Sequence, residues 1–120
     1  MSSSSEELWP GDWNRASLGL CALQALKDGP SYGYAIITAF ERAGLGTFKG
    51  GTLYPLLTRF ETAGWVEVEW RAGESGPGRK YFSLTPAGVL ELEQQRNQWL
   101  AFTQSTTAFL ADDSNRGVSL

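Results

Sequence analysis

The sequence contains no histidine and only one cysteine, Cys21. Histidine is the commonest metal ligand and the side chain that titrates near neutral pH, so neither metal binding nor histidine-based pH sensing is expected. One thiol cannot close a disulfide within the chain, and Cys21 lies in a run of leucines and alanines. We therefore expect no metal, no cofactor and a reducing, cytoplasmic location.

Long apolar runs are also missing. No stretch approaches the roughly 18 consecutive apolar residues that a membrane-spanning helix needs. Residues 1–7 contain four serines and two glutamates, whereas a secretory signal has basic residues followed by an apolar run. We expect a soluble protein without a membrane partner, and 120 residues suffice for one domain with a modest core.

Positive charge is scarce: the net charge is −3, whereas nucleic-acid-binding domains are usually basic. The basic residues are nevertheless concentrated: six of the ten fall between positions 42 and 80. That segment also contains four glutamates, so its excess is two positive charges. Any electrostatic attraction to a polyanion must therefore be local.

The residues of common catalytic sites are absent or badly placed. Histidine is missing, and no glycine loop of the GxxxxGK[ST] type is present. Glu67 and Glu69 lie two apart in a segment that alternates like a strand, which puts both on one face that is typical of solvated charge. Glu91 and Glu93 have the same spacing on a predicted helix, where they diverge. We predict that the chain is not an enzyme.

Apolar residues recur at helical spacing in three segments, at about residues 14–27, 32–43 and 52–63, and glycine-bearing turns end each of them. Ser31 and Thr52 are candidate caps of the second and third helices, and Pro55 is expected in a first turn. From Trp65 to Trp70 the period changes to two, and a second short strand covers residues 80–84. Thr85 and Pro86 then open a helix that extends to about Leu110.

This order predicts a mainly α fold with a small β-hairpin, namely a winged helix-turn-helix followed by a long C-terminal dimerisation helix. The expected divisions are a flexible N-terminal arm at 1–13, the winged helix-turn-helix at 14–84, the dimerisation helix at 85–111 and a disordered tail at 112–120.

Four motifs resemble the PadR family of transcriptional regulators: GTLYPLL with FETAGWV at 51–57 and 60–66, GYAI at 33–36, GRKYF at 78–82 and LTPAG at 84–88. The resemblance covers roughly residues 14–110. The resemblance implies a winged-helix fold, DNA binding and a dimer formed by the last helices. The chain is similar to the shorter members with a single C-terminal helix, and Tyr32 stands where many members have histidine.

A DNA-binding role also has a physical basis. The start of a helix offers unpaired N–H groups and a partial positive charge, so the segment around Gly51 can approach a phosphate. The candidate DNA contacts are Lys49, Gly51, Thr52, Tyr54, Arg59, Arg79 and Lys80. Each has a structural alternative: a plain turn at the glycines, a helix cap at Thr52, a core aromatic at Tyr54 and solvated charge at the basic residues.

The last predicted helix contains a narrow apolar stripe with 7-3-7 spacing, formed by Leu92, Trp99, Phe102 and Phe109. The stripe predicts a dimer interface, although it could instead pack on the first helix. Trp99 would then lie near the two-fold axis and form, with its copy, an aromatic pocket for a planar apolar effector. The alternative is a filled interface without a cavity.

We therefore predict a homodimeric, sequence-specific DNA-binding regulator that binds an inverted-repeat operator in double-stranded DNA. We expect a repressor that a small planar hydrophobic effector releases. The alternative is a winged-helix module that binds protein rather than DNA, with Trp65, Trp70 and Trp99 as its contact surface.

Overall fold

A computed structural model of the chain describes residues 9–73, 76 and 78–113. Its elements, in order, are α1 (Gly11–Ala25), β1 (Ser31–Tyr32), α2 (Gly33–Arg42), α3 (Gly50–Thr62), β2 (Val66–Arg71), β3 (Arg79–Leu84) and α4 (Pro86–Ala111). The predicted fold, a mainly α winged helix with a long last helix, is confirmed.

One apolar core joins the first three helices, the sheet and the start of α4. Its best-buried side chains include Leu23, Ile36, Leu57, Phe82 and Leu92, each no more than 3% exposed. These residues come from every helix and from β3, so the helices and the sheet form one body. Cys21 packs at the edge of this core, and burial raises the pKa of its thiol.

The sheet has three antiparallel strands in the order β1–β3–β2 rather than the two strands of the predicted hairpin. β1 is only Ser31–Tyr32, and Tyr32 pairs with Tyr81 of β3. Two residues are too short to show an alternating pattern, which is why the sequence did not indicate this strand. Ser31 is therefore a strand residue and not the cap of α2, whose N-cap is Tyr32.

The prediction of a flexible arm at 1–13 is wrong for its last residues. Pro10 is the N-cap of α1, and its carbonyl accepts hydrogen bonds from the N–H groups of Trp13 at 3.0 Å and Asn14 at 3.3 Å. The indole N–H of Trp9 donates to the carbonyl of Gly44 over 2.8 Å, which ties this segment to the body. The rest of the predicted arm, residues 1–8, lies outside the described residues.

α3 begins earlier than its sequence pattern indicated. Lys49 is the N-cap, and its carbonyl accepts the N–H groups of Thr52 at 2.9 Å and Leu53 at 3.1 Å, so Thr52 is the third helical residue and not the cap. Pro55 is consequently in the second turn and not the first. A proline there cannot donate to the carbonyl of Gly51, but both residues are exposed, so water can satisfy that carbonyl.

Thr85 is the N-cap of α4, as predicted. Its hydroxyl donates to the Gly64 carbonyl over 2.6 Å and accepts the Gly88 N–H over 3.0 Å. A Cβ at Gly88 would overlap the Trp65 carbonyl, because α4 starts in direct contact with the residue that precedes β2. The helix is thereby fixed to the body at its first turn.

The C-terminal part of α4 extends beyond the body. Every side chain from Gln104 to Ala111 is exposed. Of the tail predicted at 112–120, residues 114–120 lie outside the described part of the chain. Within the described residues, no helix is long and apolar enough to cross a membrane.

Candidate nucleic-acid interface

Tyr54 lies between the first residues of two helices. A Cβ at Gly33, the first residue of α2, would overlap the Tyr54 phenol oxygen, and a Cβ at Gly50, the first residue of α3, would lie 3.4 Å from its ring. The Tyr54 ring is 6.3 Å from that of Phe82, and the side chain stays 42% exposed. Tyr54 is therefore neither a core aromatic nor a freely solvated one.

The two helix starts that meet at Tyr54 are both uncapped by side chains. Neither Tyr32, the N-cap of α2, nor Lys49, the N-cap of α3, accepts a hydrogen bond from the helix with its side chain. Each helix start has unpaired N–H groups and a partial positive charge. The site thus offers two neighbouring ends of the kind that favour an anion.

An open groove of about 400 Å³ runs from this point to the sheet. Three predicted DNA contacts, Tyr54, Arg79 and Lys80, each contribute to its wall. The full lining is Tyr32, Tyr34, Tyr54, Trp70, Gly78, Arg79 and Lys80. The groove combines phenol hydroxyls, two cations and aromatic faces, all of which can contact a sugar–phosphate backbone.

The other predicted contacts lie along α3, outside the groove lining. Lys49, Gly51, Thr52 and Arg59 are all exposed. The opposite side of α3 is buried through Leu53, Leu56, Leu57 and Phe60. The helix therefore turns its polar side outward, where it could enter a DNA groove.

Arg79 and Lys80 are successive residues of β3, so they point to opposite faces of the sheet. The Lys80 ammonium lies 5.5 Å from the centre of the Phe82 ring, on the face that packs on the core. The Arg79 guanidinium lies 4.3 Å from the centre of the Tyr32 ring, on the outer face. The sequence grouped these two residues, whereas the structure gives them different surroundings.

Sequence reasoning missed two exposed residues of this surface, Tyr34 and Thr58, and assigned a third, Trp70, only to the protein-binding alternative. Tyr34, on α2, is 72% exposed and lines the groove. Trp70 lies on the same face of β2 as the buried Val66, but it is beyond the edge of the core and is therefore 69% exposed. Thr58 lies one turn after Pro55 on the exposed side of α3. The Gly33–Tyr34 pair was the one available signal, since it belongs to a quoted motif.

The apolar stripe of α4 divides into two parts. Leu92 is 3% exposed and belongs to the core of its own chain. Trp99 is half-buried, with its ring 6.0 Å from that of Phe102, while Phe102 and Phe109 are 61% and 66% exposed. α4 contacts α1 and β3, and Leu92 belongs to the core formed there. The part of the stripe that lies outside the core is therefore Trp99, Phe102 and Phe109.

Comparison with known proteins gives a family match. The model of the transcriptional regulator PadR-like family matches residues 22–94. An uncharacterized 37.1 kDa protein in transposon TN4556 of Streptomyces fradiae is 38% identical over 76 residues, which are 63% of this chain. They are 21% of that protein, so the chain spans about a fifth of the curated relative.

Solved structures of PadR-like regulators share the fold of this chain. A PadR-like regulator from Bacillus cereus is 26% identical, with 85% of this chain and 99% of that one covered at a TM-score of 0.76. A PadR family regulator from Eggerthella lenta is 31% identical over 82% of this chain and 86% of that one, with a TM-score of 0.73. Bacillus subtilis PadR in complex with operator DNA shares the fold at 24% identity and a TM-score of 0.60, over 65% of this chain and 44% of that one.

The family model covers more than half of the chain, including α2, α3, the sheet and the first part of α4. Members of this family are transcriptional regulators and not enzymes. The chain therefore belongs to the PadR-like family of transcriptional regulators, which confirms the resemblance found in its motifs and the expectation that it is not an enzyme.

Proposed function

We propose that the chain binds operator DNA in a sequence-specific manner, with α3 in the major groove and the β2–β3 wing on the adjacent backbone. The observation that supports this most is the position of Tyr54 between two uncapped helix starts, beside a groove with Arg79 and Lys80. A protein with the same fold, B. subtilis PadR, has been solved in complex with operator DNA.

Each exposed residue of this surface has a specific proposed role. The hydroxyls of Thr52 and Tyr54, the N–H groups at the start of α3 and the Lys49 ammonium would bind phosphate oxygens. Arg59, two turns beyond Thr52, would reach a base edge, where arginine discriminates guanine. Gly51 would allow the backbone to come close, since a Cβ there meets nothing within the protein.

We further propose a homodimer formed by α4. From Asn97 to Ala111 the helix contains no charged residue, although every side chain of its last two turns is exposed. The hydroxyls of Thr103 and Thr106 donate to the carbonyls of Trp99 at 2.9 Å and Phe102 at 2.8 Å, so these threonines present methyl groups outward. An exposed, uncharged helix of this kind fits a second copy of itself.

The protein-binding alternative is less well supported. It requires Trp65, Trp70 and Trp99 to form one surface. Trp65 is half-buried and packs on Phe60 at 5.4 Å, before the start of β2, whereas Trp70 lies near the opposite end of that strand, in the groove wall. Trp99 is on α4. The three indoles therefore lie in separate places.

Selection of bound sequences from a random DNA pool tests the proposed function. We expect an inverted repeat whose half-sites are centred about one helical turn, roughly 34 Å, apart, because a two-fold dimer presents both copies of α3 to one side of the DNA. Retention should disappear as salt rises, because phosphate contacts release counterions. No retention on any DNA at low salt would favour the protein-binding module, and a consensus without two-fold symmetry would exclude the dimeric arrangement.

We also propose that the regulator is a cytoplasmic repressor that a planar apolar effector releases. Trp99 and Phe102 have neighbouring rings on the exposed stripe, so two copies of the pair would form an aromatic site at the dimer axis. Planar aromatic compounds should quench tryptophan fluorescence and weaken operator binding in the wild type. Trp99→Phe should lose that quenching, and unchanged quenching in this variant would show that the compound binds elsewhere.

A further inference from the structure

The outer face of the wing contains two arginines directly opposite each other. Arg71 of β2 pairs with Arg79 of β3 in the antiparallel register. Like charges directly opposite each other on neighbouring strands are unfavourable. Glu69 lies 3.5 Å from Arg71, while Arg79 forms no ion pair with any carboxylate that the structure describes. The pair therefore has an uncompensated positive charge.

Both arginines are held in place by tyrosines. The Arg71 guanidinium lies 4.3 Å from the centre of the Tyr81 ring, and that of Arg79 lies 4.3 Å from the centre of the Tyr32 ring. The two rings contact each other edge to face at 5.2 Å. Each arginine thus leans onto the tyrosine of the next strand, and stacking limits the rotamers of a side chain that otherwise loses much entropy on binding.

Lys80 lies on the other face of the same hairpin. It pairs with Trp70 across the strands, and its ammonium lies over the Phe82 ring. The wing therefore has a cation on the face toward α3 and two stacked arginines on the face away from it. Two phosphate backbones border every minor groove, so a hairpin with cations on both faces can contact both strands.

We propose that the wing lies over a minor groove and binds both of its backbones, Lys80 contacting a phosphate of one strand and Arg71 with Arg79 clamping a phosphate of the other. This proposal rests on the proposed DNA binding and adds Arg71 to the contacts. Tyr32 and Tyr81 are positioning residues that fix the two guanidinium groups. Two neighbouring guanidinium groups suit one phosphate, because each presents planar pairs of donors.

Operator duplexes with a single neutral methylphosphonate test the strand assignment. For the wild-type protein, two positions on opposite strands of the flanking minor groove should each lower affinity by about tenfold, as expected for one lost charged hydrogen-bonding partner. Arg71→Ala and Arg79→Ala should each reduce the sensitivity at one position only and their double variant should abolish it there, whereas Lys80→Ala should abolish the sensitivity at the other position only. Arg42→Ala, which removes an exposed arginine at the end of α2, should change neither.

A second set of variants tests the positioning role. Tyr32→Phe keeps the ring and should keep the wild-type methylphosphonate sensitivity at the Arg79 position, whereas Tyr32→Ala should reduce that sensitivity as Arg79→Ala does, with thermal unfolding measured to confirm that the variant is folded. The proposal would be overturned if Arg71→Ala, Arg79→Ala and Lys80→Ala all lost methylphosphonate sensitivity on the same strand. It would also be overturned if Arg71→Ala behaved like the wild type. The proposal would also be overturned if the DNA-free protein binds pyrophosphate through Arg71 while Arg71→Ala leaves the affinity for the operator unchanged. Failure of the wild type to bind any duplex would instead contradict the proposed function itself.

Discussion

Phe102→Glu will produce a monomer whose affinity for the complete operator is lower by about 10²- to 10⁴-fold, the range that two linked binding sites typically gain over one. Phe102 is 61% exposed on the uncharged stretch of α4. In the proposed dimer a glutamate there would be buried close to its own copy, and unpaired buried charge is strongly unfavourable. Sedimentation analysis at micromolar concentration and operator titration measure the two effects.

Ala101→Glu is the matched control. It adds the same charge one residue earlier on α4, about 100° around the helix, where Ala101 is exposed and outside the stripe. This variant should stay dimeric and bind the operator normally. A half-site duplex should bind Phe102→Glu and the wild type equally well. A dimeric Phe102→Glu protein with full operator affinity would show that α4 does not form the interface.

Gly33→Ala should lower operator affinity by roughly 10- to 150-fold, or about 1.5 to 3 kcal/mol, the magnitude of one hydrogen bond to a charged group. The added Cβ would overlap the end of the Tyr54 side chain, which is flexible and can move into the groove. The fold should survive, because no backbone atom is displaced and alanine is favourable in a helix. Operator titration and chemical denaturation measure affinity and stability separately.

Two comparisons isolate the effect on Tyr54. Gly19→Ala makes the same change within α1, where the new Cβ would lie 3.7 Å from the Phe60 ring in ordinary contact, so DNA binding should be unaffected. The double variant Gly33→Ala, Tyr54→Ala should bind DNA no worse than Tyr54→Ala alone, because the displaced ring is then absent. If the losses of the two single variants add in full, Gly33 acts through something other than Tyr54.

The placement of these residues explains how an acidic chain can serve as a DNA-binding regulator. The net charge of −3 is an average over the whole sequence. Among the residues that the structure describes, the groove wall contains Arg79 and Lys80 and no carboxylate, and the two helix starts add the partial positive charge of their N–H groups. Since screening limits the reach of surface charges to about 8–10 Å in physiological salt, a phosphate that approached this surface would be affected mainly by these local charges.

Local sequence patterns were enough to determine the order of the elements other than β1 and to indicate the family. The 3.6-residue and two-residue periods, the Thr85 cap, and the glycines that end α2 and α3 depend only on near neighbours in the chain. Gly44 and Gly64 have positive φ angles of 82° and 84°, the conformation that glycine adopts at least cost after a helix. These features act through hydrogen bonds and dihedral preferences within a few residues, so the sequence alone shows them.

Contacts between distant segments were decided only by the tertiary structure. β1 is too short to have a period, Trp9 reaches Gly44 across 35 positions, and Tyr54 finds its place against a glycine 21 residues earlier. The division of the α4 stripe into a buried Leu92 and exposed phenylalanines depends on where the body ends along the helix. The sequence determined which residues are apolar or charged, and long-range packing determined which of them remain exposed at the surface.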